Sequence, residues 1–196
     1  MKQEFLDKKV ALITNFISPE HAAECARELR YINEMENLTS DTPVAPNASS
    51  IYDPTFGLEI MCDKNSFINE IVGEYLVPTY CFSRIYRTGD TLPKHEDRAA
   101  CEVSLTVHLD GDEEWLFGCF DKQLSLNPGD AVLYLGHLVP HYRVGPYRGK
   151  EYFQFFMHYV RTRGCHKKVY FDKEKRLWGS DMAVNEKKLM EELYGI

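Results

Sequence analysis

Two histidines and an aspartate are the residues of this 196-residue chain whose types and spacing could hold a metal. His95 and Asp97 stand in 94-KHEDRAACEVSLTVHLD-110, directly ahead of an alternating, strand-like run. Forty-four residues beyond Asp97 comes His141, behind the turn 128-PGD and the apolar run 131-AVLYL. A His-x-Asp triplet alone is weak evidence in a chain with seven histidines, because a solvated turn explains it equally well. The strand context adds weight. In an extended segment His95 and Asp97 project to one face, and His141, expected at the end of another strand, can return to the same end of a barrel. Two neutral imidazoles and one carboxylate leave an iron(II) centre with net positive charge and three open positions, enough for a chelating co-substrate and dioxygen. Cysteine ligands would favour zinc or an iron–sulfur cluster, and none of the six cysteines stands at such a spacing.

Other polar residues near the triplet have plainer readings. His137 precedes His141 by four positions and reads as a loop residue after 131-AVLYLG. His158, inside 155-FFMHYV, reads as a core histidine, and Glu96 as a solvated neighbour of Asp97. Arg98 and Glu102 are expected to form an ion pair bracing the strand behind Asp97. Trp115 and the aromatic run 152–159 read as core. In 102-EVSLTVHL the residues Glu102, Ser104, Thr106 and His108 share one face, a polar row that is costly inside a barrel unless it lines a wet or ligand-filled cavity.

The elements that must position these residues divide the chain in two. The opening 9-KVALITNFISPEHAAECARELRYI reads as strand, turn and helix, with Ser18 as N-cap and Pro19 at the first helical position. Residues 37–64, rich in Asn, Ser, Thr, Pro and Asp, read as a long loop, and a second helix is expected at about 65–76, stopped by Pro78. From residue 79 the period changes. The runs 79-TYCFSRIYR, 102-EVSLTVHL, 115-WLFGCF, 123-QLSL, 131-AVLYL and 151-EYFQFFMHYV read as short strands separated by turns such as 88-TGD, 110-DGD and 128-PGD. Helices first and strands afterwards give an α+β class, and 182-MAVNEKKLMEELYGI reads as a surface helix.

Composition excludes several classes. A net charge of −7 argues against a general nucleic-acid binder. No apolar run approaches the ~18–20 residues of a membrane helix, and no signal peptide is expected from the charged start. The six cysteines form no CxxC pair, which fits reduced thiols and a cytoplasmic setting.

The triplet 95-HED, His141, the Pro-Gly-Asp turn, 84-RIYRTGDTLPKH and the opening 13-ITNFISPEHAAECARELR together resemble the Fe(II)- and 2-oxoglutarate-dependent dioxygenases, in particular the prolyl-4-hydroxylase-like branch with its small stand-alone bacterial and phage members. The resemblance spans about residues 10–160. It implies a double-stranded β-helix (jelly-roll) core with N-terminal helices packed on one sheet, in one domain over residues 1–196. Its core would cover about 79–160, with a strand–helix support at 9–78 and a C-terminal extension at 161–196. It also implies His95, Asp97 and His141 as iron ligands and hydroxylation of a C–H bond with 2-oxoglutarate decarboxylated to succinate. Dioxygen is then a substrate, ascorbate a candidate addition, and a protein, peptide or small molecule the partner. A metal-binding jelly roll without oxygenase activity is the alternative.

The same resemblance calls for a cation on the distal carboxylate of 2-oxoglutarate. Lys150, nine positions after His141, matches the prolyl-hydroxylase spacing. Aligning the strand through 155-FFMHYV puts Tyr152 there instead, and Arg143 or Arg84 would then supply the charge, each able to grip a carboxylate with two N–H groups. Tyr86 stands where relatives contact 2-oxoglutarate, and His108 stands where the family pattern can place another tyrosine.

Overall fold

Strand-forming residues alternate from residue 76 onward, and the alternation separates two faces. The computed structural model describes residues 2–173. Among them the strands are β1 (Val10–Ile13), β2 (Ser49–Tyr52), β3 (Leu76–Arg87), β4 (Val103–Gly111), β5 (Phe117–Cys119), β6 (Lys122–Leu124), β7 (Ala131–Tyr134), β8 (His141–Arg143) and β9 (Glu151–Arg161). The helices are α1 (Lys2–Lys8), α2 (Pro19–Glu36) and α3 (Thr55–Val72). The larger sheet has the order β1-β7-β4-β9-β3-β2 and the smaller β6-β5-β8, all paired antiparallel. From β4 to β9 the chain crosses back and forth between the two sheets, with β5 and β6 forming a hairpin within the smaller, and winds a double-stranded β-helix.

One face of the larger sheet is apolar. Cys81, Ile85, Leu105, Val107, Phe153, Phe155 and Met157 join Ala22, Cys25 and Leu29 of α2 and Phe56, Ile60, Met61 and Ile68 of α3 in one buried cluster. Each large side chain buried there contributes roughly 1.5–3 kcal/mol before chain entropy is charged against it. The N-terminal helices therefore cover one sheet, as expected. The other face carries Arg84, Tyr86, Ser104, Thr106, His108, Gln154 and His158, all buried. The expected polar row of β4 is thus real at Ser104, Thr106 and His108. Glu102 leaves it, because it caps the 3-10 turn Ala99–Cys101 and binds Arg161.

Ser18 caps α2, its Oγ accepting from the His21 amide at 3.2 Å, with Pro19 opening the helix. The second helix starts ten residues earlier than expected, at Thr55, and ends at Val72 with Gly73 in the left-handed region (φ 80°). The supposed loop 37–64 therefore holds β2 and the first half of α3. Polar composition masked the helical spacing of Phe56, Ile60 and Met61. Gly57 lets α3 press on the sheet: a Cβ there would lie 2.7 Å from Phe155 Cε2 and 2.8 Å from Cys81 Sγ. Pro78 does not stop a helix but sits in β3, at a register irregularity against β9, where a missing N–H is tolerated. Helix α1 has no counterpart in the sequence reading, and the expected helix at 182–196 lies outside the described residues.

Aspartates of the Gly-Asp turns tie the layers together. Buried Asp130 accepts from the amides of Asn15 (3.0 Å) and Asn127 (2.9 Å), joining the start of the chain to the turn before β7. Asp90 accepts from the amides of Arg87 (2.7 Å) and Asn47 (3.0 Å), fixing the 37–48 connection beside the end of β3.

Candidate metal centre

His95 and His141 face each other across an isolated antiparallel bridge. Each amide donates to the other's carbonyl at 3.0 Å, and the rings lie 4.3 Å apart between centroids. Directly opposed residues in a bridge send their side chains to the same side, so the backbone itself brings the two imidazoles together. His141 is the first residue of β8, a strand of its own beyond 131-AVLYL, and so stands at a strand end. Asp97 is held by its amide donating to the Gly136 carbonyl at 2.8 Å, which places Oδ1 at 3.6 Å from both His95 Nε2 and His141 Nε2. One ligand atom of each residue lies within 4.8 Å of the others.

Both imidazoles are oriented by carbonyls two residues upstream. His95 Nδ1 donates to Pro93 at 2.8 Å and His141 Nδ1 donates to Val139 at 3.0 Å. With Nδ1 protonated, each Nε2 can present a lone pair toward Asp97, the tautomer that a metal ligand requires. Burial alone would push the Asp97 carboxyl up. Its contacts with His141 and His95 outweigh that and hold it well below the usual carboxylate range. His95 is in turn raised by its contact with Asp97, although burial opposes the shift.

A tight cradle supports the carboxylate. Ser104 Oγ lies 3.4 Å from Asp97 Oδ2, 3.2 Å from the Cys101 carbonyl and 2.9 Å from His158 Nδ1. A Cβ on Gly136 would meet Ser104 Oγ at 2.4 Å, the Cys101 carbonyl at 2.5 Å and Asp97 Oδ2 at 2.6 Å. Only a residue without a side chain fits behind the carboxylate. The donor set, the ring orientation and this cradle fit a divalent metal with open positions, the iron(II) facial arrangement included.

The triad opens onto a cavity of about 160 Å³. Asp41, Arg84, Tyr86, Leu92, Tyr134 and His158 line it together with the aromatic rings of Tyr52, Tyr80, Phe82 and Phe156. His158 belongs to this site as well as to the core, and burial lowers it to about 4, so the ring is neutral.

No family model matches the sequence, and no curated protein matches it. Solved structures do. A prolyl-4-hydroxylase of Pseudomonas putida is similar over 83% of this chain and 97% of its own, with a TM-score of 0.64 and 18% identity. The viral collagen prolyl hydroxylase of Paramecium bursaria Chlorella virus-1, solved as a 2-oxoglutarate complex, is similar over 78% and 96%, with a TM-score of 0.58 and 15% identity. HygX of Streptomyces hygroscopicus, solved with nickel and 2-oxoglutarate bound, is similar over 82% and 86%, with a TM-score of 0.64 and 12% identity. The chain has the fold of the 2-oxoglutarate- and Fe(II)-dependent oxygenases.

Within this oxygenase fold the cations expected from sequence take three different places. Lys150 is exposed at the start of β9, its amide donating to Asp112, and it lies beside Arg30 and Glu151 on the outside of the sheet, away from the cavity. The side chain at the matched spacing therefore does not face the triad. Lys150 stands two positions ahead of the inward row of β9, which carries Tyr152, Gln154, Phe156 and His158. Arg143, two residues along β8 from His141, is 4% exposed and has no carboxylate partner within ion-pair distance among the described residues. Its guanidinium donates to the Trp115 carbonyl and to Gln154 Oε1, between the rings of Trp115 and Tyr152. Arg84 lines the cavity itself, paired with Asp41 at 2.6 Å.

Tyr86 lines the cavity with its hydroxyl accepting from Arg84 at 3.1 Å. His108 lies outside the lining, stacked on Tyr152 at 4.4 Å; its Nδ1 donates to the Leu126 carbonyl, and Nε2 is buried with no hydrogen-bond partner among the described residues. His137 donates to the Glu102 carbonyl and stands outside the triad. The expected Arg98–Glu102 pair does not form. Arg98 makes a two-pronged pair with Asp172 at 2.6 and 2.7 Å, and Glu102 pairs with Arg161. Asp172 lies too far along the chain for local spacing to reveal it. Ser104 and Tyr134 carried no signal in the sequence beyond the inward phase of their strands, and Gly136 and Asp41, which lie in connections, carried none.

Proposed function

We propose that this chain is an Fe(II)-dependent oxygenase that couples decarboxylation of 2-oxoglutarate to hydroxylation of a substrate C–H bond. The observation that carries the reading is the His95–Asp97–His141 cluster, with both Nδ1 atoms tied to carbonyls, at the wall of a cavity in this fold. A similar fold solved with nickel and 2-oxoglutarate bound supports a metal and 2-oxoglutarate as the cofactor pair. Bound iron(II) and 2-oxoglutarate would supply the activation of dioxygen.

The chain's own residues hold and orient. His95 Nε2, His141 Nε2 and Asp97 would bind the metal, while Ser104 and the Gly136 cradle fix the carboxylate's rotation. Arg143 is the residue best suited to the distal carboxylate of 2-oxoglutarate, because a buried guanidinium without an anion is costly and a carboxylate satisfies it with two N–H groups. Gln154 Oε1 stands in for that carboxylate in the ligand-free protein. Tyr86 walls the space and excludes water, and Tyr152 packs behind it against Arg143. A peptidyl residue of prolyl type is the substrate that the prolyl-hydroxylase likeness favours.

Anaerobic addition of Fe(II) and 2-oxoglutarate should produce a weak visible charge-transfer band and, on admission of oxygen, succinate. His95→Ala should abolish both. Arg143→Met should keep metal binding and raise the 2-oxoglutarate concentration needed for half-saturation by about 100-fold. The absence of cations from the inward row of β9 favours a second reading, a metal-binding jelly roll without oxygenase activity. It predicts metal affinity that 2-oxoglutarate does not change.

A further inference from the structure

Arg84 is the one lysine or arginine that lines the cavity among the described residues, and its three donor positions are all engaged. Nε donates to Ser50 Oγ at 3.1 Å, Nη1 to the Tyr86 hydroxyl at 3.1 Å and Nη2 to Asp41 Oδ1 at 2.6 Å. Its guanidinium carbon lies 4.9 Å from the ring centre of Phe82 and 5.2 Å from that of Tyr86. Strands β2 and β3 therefore hold the cation in place. Its anion comes from elsewhere, the connection between α2 and β2.

The two partners are unequally placed. The Arg84 side chain is 9% exposed and that of Asp41 35%. Asp41 can turn outward into water, giving up this pair and the hydrogen bond it accepts from Ser50 Oγ at 2.9 Å for contacts with solvent, whereas Arg84 cannot lose its anion without leaving a buried charge unpaired. An incoming carboxylate satisfies Arg84 and frees Asp41. A neutral ligand gives no such compensation, and a cation would leave Arg84 orphaned. Beyond Arg84 the lining turns aromatic, with Tyr52, Phe82, Tyr80 and Phe156 leading toward His158 and the triad.

We propose that Asp41 fills a carboxylate subsite on Arg84 in the ligand-free protein, and that the substrate of this site, peptide or small molecule, presents a carboxylate beside an apolar or aromatic body and displaces Asp41 when it binds. The word substrate rests on the oxygenase reading; the displaceable subsite does not. The segment around Asp41 can respond as a unit, since Ser40 Oγ donates to the carbonyls of Thr42 and Ala45 and the Asn47 amide is anchored on Asp90. Arg143 remains for the co-substrate, so the two cations divide two carboxylates between them.

Backbone hydrogen exchange of residues 38–48 in the full chain reads the displacement directly. Millimolar 3-phenylpropionate should accelerate exchange there at least fivefold (about 1 kcal/mol of lost protection), while 3-phenylpropionamide should not. Asp41→Asn should bind the acid about tenfold more tightly, because the competing carboxylate is gone. Arg84→Met should lose the response, and Arg84→Lys, which keeps the charge, should retain it in weaker form. Acid and amide acting alike, or neither changing exchange in the wild-type chain, overturns the proposal. A response to 2-oxoglutarate alone that survives Arg143→Met but not Arg84→Met overturns the substrate assignment, since Arg84 would then serve the co-substrate. Because exchange is read without metal or oxygen, its outcome is independent of the charge-transfer band that tests the oxygenase reading.

Discussion

Each triad histidine ties one ring nitrogen to a carbonyl two residues upstream, and that local geometry explains how much of the centre the sequence could reveal. Residue type and strand phase pointed to His95, Asp97 and His141 because ligand chemistry restricts the choice to a few side chains. The supporting contacts were illegible because they are made across the fold by residues of no special type. Gly136 is the clearest case: nothing marks it in 131-AVLYLG, yet a Cβ there would overlap Asp97 Oδ2 at 2.6 Å. Gly136→Ala should displace the carboxylate and weaken Mn(II) or Fe(II) binding by about 10–100-fold, as loss of a supporting contact typically does. The overpacking should cost roughly 1–3 kcal/mol of stability in addition. A metal titration of the variant that matches wild type would show that the glycine does not set the position of Asp97.

Elements were legible in proportion to their length and to the purity of their period. β3, β4 and β9 alternate over 9–12 residues, and the sequence placed each within a few residues of its observed ends. β8 has three residues, too few for any period, so the element that carries both His141 and Arg143 could be approached only through its neighbours. α3 was lost for a different reason. Its first half carries Gly57, Glu59 and Asp63 among the apolar residues, which interrupts the helical spacing, and Gly57 serves as a contact surface. The helix sits close because Gly57 meets Phe155 and Cys81 with nothing between. Gly57→Val should therefore cost about 1–3 kcal/mol through overpacking and β-branching. The expected result is a lower urea midpoint with an unchanged slope and, in the folded protein, unchanged metal affinity. An unchanged midpoint would mean that α3 can lift from the sheet without loss.

At the scale of the whole molecule the barrel confines two neutral imidazoles between its sheets, and this couples folding to pH. Burial lowers His158 to about 4 and also lowers His108. In the unfolded chain both would titrate near ~6.5. Between about pH 6.5 and 4 the unfolded state then binds more protons than the native state, so stability falls as the pH falls. His158 alone accounts for roughly 3 kcal/mol of loss by pH 4, an order-of-magnitude figure from its shift at 1.36 kcal/mol per unit. The triad does not cancel this. The raised His95 contributes stability that is already complete below ~6.5 and is lost as the pH rises, and the depressed Asp97 loses its contribution only below ~3.9. The metal-free protein should thus show a urea midpoint that drops steadily from pH 7 to pH 5. His158→Gln, which keeps a polar group near Ser104 without the titration, should flatten the slope. A wild-type midpoint constant over that range, or a variant as acid-sensitive as the parent, would show that protons reach the barrel interior without cost and that its polar row is already wet.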